Sequence, residues 1–142
     1  VYLDRFLNVP PTRLPGEREG GTEITVEGPE AQLEHLLQLF DTRQNGDSPA
    51  RLVHHYLESG YPMAELIETL ATAVVREDAD FHTYQMLEAS LRQYEEWGDT
   101  QPGRNILIAL TRYIAAHSPT QRAALQTATT ALRLHRGEEL HD

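Results

Sequence analysis

The chain has 142 residues, 39% of them hydrophobic and 24% charged, which suits one globular domain and is too apolar for a disordered polymer. A formal net charge of −10 argues against nucleic acid and against an anionic membrane surface, because phosphate contact needs clustered Lys and Arg. The lack of cysteine excludes disulfides, thiolate zinc sites and any iron–sulfur cluster ligated by this chain, so a metal would have to rest on His, Asp, Glu or Tyr.

Residues 1–8, VYLDRFLN, read as the last two turns of a helix with Leu3, Phe6 and Leu7 on one side. Residues 9–28 carry Pro10, Pro11, Pro15 and four glycines, and form a long irregular arm. Within it TEITVEG alternates like a short strand but has no partner strand. The expected division is an arm over 1–28 and a helical domain over 29–142. The arm is expected to pack on another copy or on a further domain.

From Pro29 onward the pattern is helical. Leu33, Leu36, Leu37 and Phe40 mark a helix over 29–42. NGDSP at 45–49 is a turn, after which Ser48 and Pro49 open a helix that runs to Ser59 and stops at Gly60. Pro62 opens the next, with Met63, Leu66, Ile67, Leu70 and Val74 at i, i+3, i+4, i+7 and i+11. No Gly or Pro follows before Gly98, so this helix is expected to run unbroken to Trp97. Its weakest point is Glu77–Ala79, where acidic residues crowd together. GDTQPG (98–103) is a loop, and 104–117 is a very apolar central helix. Ser118-Pro119-Thr120-Gln121 has the form of a capping box opening a last helix over 119–136, which Gly137 ends before an acidic tail. The fold class is all-α: a bundle-like domain of five to six helices with a long irregular N-terminal arm.

The longest apolar run, ILIAL at 106–110, is too short to cross a bilayer, and no signal-peptide pattern opens the chain. A cytoplasmic location is expected. All 12 basic residues are Arg, which reads as the coding bias of a high-GC bacterial genome.

The segment REDADFHTYQMLEA (76–89) places acids where a helix would bury apolar side chains. On a continuous helix, Ile67, Ala71, Val74, Val75, Asp78 and His82 share one stripe, and Glu77 lies on the next. A carboxylate buried without a partner costs roughly several kcal/mol. Asp78 and His82, four residues apart, are therefore expected to face the interior as a linked pair. Glu77, His55 and His117 are the candidates to complete a metal site with them, as facing helices of bundles do. The plainer reading has Asp78 paired with His82 or Arg76, or the acids capping a new helix near Ala79. In it His55 is a half-buried core residue and His117 a helix C-cap. The Glu-x-x-His spacing repeated on two helices, as di-iron bundles use it, is missing, as are HExxH, GxSxG, a P-loop and GxGxxG, and no catalytic residue is assigned.

YLDRFLNVPP (2–11), REDADFHTYQMLEA (76–89) and AAHSPTQRA with RLHRGEEL (115–123, 133–140) resemble the helical region of longer bacterial, mostly actinobacterial, proteins that carry a Rieske-type iron–sulfur domain at one end. The resemblance implies a helical module of a redox-linked, cytoplasmic bacterial protein. A Rieske cluster needs two Cys and two His, so it would be held elsewhere. The expected function is a cofactor- or partner-binding helical module of such a protein. Two alternatives stand beside it. One is an oxidoreductase domain holding iron or haem on His and carboxylate ligands. The other is a structural module that forms a homo-oligomer through the aliphatic helices 62–75 and 104–116.

Overall fold

A computed structural model describes residues 24–43 and 46–137; the expected N-terminal helix fragment, with Leu3, Phe6 and Leu7, lies outside them, as does the acidic tail. Six helices follow one another: α1 (Pro29–Leu39), α2 (Asp47–Glu58), α3 (Met63–Val75), α4 (Phe81–Trp97), α5 (Gln101–Ala116) and α6 (Ala123–His135). There is no strand among the described residues, and Ile24–Glu27 has no regular structure. The class is all-α, as the apolar period predicts, and no helix of the described residues is long and apolar enough to cross a membrane.

The apolar stripes decide the layering. α5 lies between α2 and α4, α3 packs against α4 and touches α5, and α1 packs on α2 and α3. Leu107, Ile108, Leu110, Ile114 and Ala115 of α5 meet Leu36 and Phe40, Leu52, Val53 and Leu57, and Leu66, Leu70 and Val74 in one cluster. Tyr56 is also fully buried, and its hydroxyl donates to the Pro62 carbonyl at 2.8 Å, while its ring meets Tyr61 edge-on at 5.3 Å. That bond answers the demand a buried phenol makes for a partner, and it ties α2 to the start of α3.

Several boundaries differ from the sequence expectation: α1 ends at Leu39 rather than at 42, α5 begins at Gln101, inside the segment expected as a loop, rather than at 104, and two differences are larger. The long helix over 62–97 is two helices: α3 ends at Val75, and α4 begins after Asp80. Asp80 is extended, and its carboxylate accepts from the backbone N–H and the hydroxyl of Thr83, both at 2.9 Å. An Asp with a donor three residues on makes a helix N-cap, and this outweighs continuation through an acid-rich stretch with no Gly or Pro to mark the break. The last helix starts at Ala123 rather than Pro119. Ser118 does not cap it: its hydroxyl donates back to the Ile114 carbonyl at 2.8 Å, and 118–122 run without helix, including a cis Ser118–Pro119 bond.

The α4–α5 turn depends on Gly103. A Cβ built there would lie 2.1 Å from the Gly98 carbonyl oxygen, a backbone atom that cannot move aside alone. Thr100 caps α5 in the same turn, its hydroxyl accepting from the Gly103 N–H at 3.3 Å. Gly103→Ala is therefore expected to lower unfolding stability by about 2 kcal/mol, an overpacking cost. Denaturant titration checks this, and a neutral result would show that the turn opens freely.

Candidate functional site

The break at 76–80 and the segment 117–122 meet, joined by ion pairs and hydrogen bonds. Glu77 is the pivot. Its side chain is only 4% exposed, and both carboxylate oxygens are fully used. Oε1 accepts from Arg122 Nε at 2.9 Å and Nη2 at 2.6 Å. Oε2 accepts from the Thr120 backbone N–H and hydroxyl, each at 2.7 Å. Burial by itself would raise the Glu77 pKa. The Arg122 guanidinium and the two Thr120 donors outweigh it, and the pKa lies below its ordinary value.

The network extends to α1. Arg122 Nη2 also donates to Asp41, whose carboxylate accepts a second bond from Arg76 Nη2 at 2.9 Å. That same Arg76 nitrogen lies 2.9 Å from the Leu37 carbonyl at the end of α1. Arg76 Nε, buried and without a hydrogen bond, lies 3.3 Å from Glu77 Oε1, so this contact is electrostatic. Two arginines and two carboxylates thus alternate, so the cluster around the buried Glu77 carries no net charge, with Asp41 at its exposed edge. Neutrality of this kind makes burial of Glu77 tolerable.

Asp78 has a different role. It is exposed, and its Oδ2 and Oδ1 accept from the backbone N–H groups of Ala123 and Ala124, each at 2.9 Å. These are orphan donors of the first turn of α6, so Asp78 caps a helix 45 residues away in sequence. Those two N–H bonds hold its pKa below the ordinary value. Arg122, the residue before α6, has a left-handed backbone with φ of +54°. Such a conformation costs a side-chain-bearing residue about 1–2 kcal/mol, which the Glu77 and Asp41 contacts offset.

The five expected metal-site residues are not gathered. Asp78 and His82 do not pair: the helix that would have set them four apart is broken between them, and both are solvent-exposed. His82 instead lies against the Phe81 ring at 5.8 Å. His117 is exposed at the end of α5, stacked on Tyr113 at 4.2 Å with Nδ1 2.8 Å from the Tyr113 carbonyl. His55 is exposed on α2, its Nδ1 3.2 Å from Nε2 of the buried Gln32 on α1. Among the described residues no three His, Asp or Glu side chains are grouped as a metal site. Glu77, Asp78 and His117 do share one feature, an open cleft of about 150 Å³ floored by Ala73, Val74 and Ile114.

Arg122, Thr120 and Asp41 escape sequence reasoning because nothing in their local pattern marks them. They are 81 residues apart at the extremes, and only folding joins them. The Asp80 cap alone had a local signal, the hydroxyl of Thr83 three residues on.

Substituting Glu77 with Ala is expected to cost about 3 kcal/mol, because it leaves Arg122 without its main partner; thermal or denaturant unfolding measures it. Asp78→Ala should cost less and act on α6 selectively. The acid response has a defined sign. Glu77 and Asp78 have folded pKa values below their ordinary 4.5 and 3.8, so their contribution is complete above those values and fades as pH falls through the folded ones. On acidification α6 should therefore lose amide protection before α5 does; simultaneous loss would contradict the clamp.

Comparison with family models, with curated proteins and with solved structures finds no match to this chain.

Proposed function

We propose that the chain is a partner-binding helical module that anchors α6 by its first turn and presents the rest of that helix to another protein surface. One observation carries the reading: none of the residues of α6 is buried, and Leu125, Leu132 and Leu134 are 51%, 48% and 55% exposed. At 100° per residue, Ala124, Leu125, Ala128, Ala131 and Leu132 form one continuous apolar stripe. A 13-residue helix is marginal in water by itself. Asp78 and the Glu77–Arg122 pair secure its N-terminal end, but they leave the stripe open. An amphipathic helix with an uncovered stripe is the form that helix-in-groove recognition uses. The proposal keeps the redox-linked bacterial setting that the resemblance implies, with any cofactor chemistry on the protein that α6 engages.

Hydrogen exchange on the dilute chain tests this. The amides of α6 beyond its first turn are expected to exchange far faster than those of α5, and Leu125→Gln with Leu132→Gln should leave the melting temperature unchanged. If α6 is as protected as α5 in the monomer and the double variant melts earlier, the stripe is already covered within the chain and the reading fails.

A further inference from the structure

We infer that the surface receiving α6 is α4 of a second copy of this chain. The inference rests on the reading of α6 as a docking helix and names its partner. The seven large apolar side chains left exposed among the described residues are Val75, Phe81, Tyr84, Trp97, Leu125, Leu132 and Leu134. All fall at the end of α3, on α4 or on α6, and none on α1, α2 or α5. The outer face of α4 thus offers aromatic area that the chain's own core does not use: its inward side buries Thr83 and Ser90, with Leu87, Leu91 and Tyr94 partly buried.

Charge gives the second argument. No Asp or Glu occurs between Asp99 and Glu138, and five arginines fall in that stretch. α4 has the opposite balance, with Glu88, Glu95 and Glu96 against Arg92. Arg112 and Arg122 already pair with acids on earlier segments, and so does Arg104. Arg136, the residue that closes α6, makes no ion pair among the described residues, nor does Glu95 on α4, and both are exposed. Opposite charge fields of this kind favour association and set register.

Spacing gives the third. On α4, Phe81, Tyr84, Glu88 and Glu95 project within one arc, and on α6 Leu125, Leu132 and Arg136 do the same. Tyr84 to Glu95 is a step of eleven residues, and so is Leu125 to Arg136. In a parallel register Leu125 covers Tyr84, Leu132 comes beside Leu91 and Glu88, and Arg136 reaches Glu95. This register places Leu125 on Tyr84 and Leu132 on Leu91, leaves Glu88 to its own helix partner Arg92, and sets one opposite-charge pair, Arg136 with Glu95, at the end.

Sedimentation of the intact chain over a range of concentrations tests the inference. Self-association is expected. Leu125→Gln with Leu132→Gln should abolish it, and Arg136→Glu and Glu95→Arg should each weaken it roughly tenfold. Combining the two charge reversals should restore it to within about threefold of the natural chain, since a direct pair is non-additive. A chain that stays monomeric at every concentration overturns the inference. So does association that ignores Glu95→Arg, or a double reversal no better than its single variants. In those cases rapid exchange of α6 would leave the docking-helix reading intact with a different partner. Slow exchange of α6 in the monomer would remove both.

Discussion

Burying the carboxylate of Glu77 is the constraint around which this fold is arranged. A charge removed from water must be matched closely in space, and here four donors from Thr120 and Arg122 do so at 2.6–2.9 Å. Those donors come from a segment that would otherwise have little reason to lie against the start of α4. Satisfying one carboxylate therefore fixes the path of 117–122, and through Asp41 and Arg76 it also fixes the end of α1.

The direction of α6 follows from the same junction. Glu77 holds the residue before the helix, and Asp78 caps its first two free N–H groups. Of these neighbouring carboxylates, one holds a guanidinium and the other supplies charge where the helix dipole favours it. The result is a helix tethered at one end by polar contacts. Such contacts depend on geometry more than on apolar area, which explains how α6 can be firmly placed and yet have no buried residue. The chemistry concentrated in REDADFHTYQMLEA is used to place a helix.

The cleft beside this junction belongs to that arrangement. Each acidic side chain that the clamp brings to its wall has a partner within the chain: Glu77 in Arg122, Asp78 in the first turn of α6, and Asp80 in Thr83. The molecule's unspent binding capacity lies in apolar side chains, on the outer face of α4 and along α6.

What the sequence by itself determined was the helical class and most helix ends. Local rules govern those: the positions of Leu33 and Leu36, Leu66 and Leu70 follow the 3.6-residue period. Gly60 ends α2 with φ of +68°, and Pro62 precedes α3. Glu77 was recognisable as a buried acid in need of a partner, but the identity of that partner was not. Arg122 and Asp41 stand 45 and 36 residues from Glu77, and no periodicity carries that distance. Tertiary structure decided two things: that Asp78 caps α6 instead of meeting His82, and that the candidate His and acid side chains form no metal-ligand group among the described residues. The physical reason is common to both. A helix N-cap and a buried carboxylate take the donors that folding brings closest, and a local pattern cannot rank a distant donor against a near one.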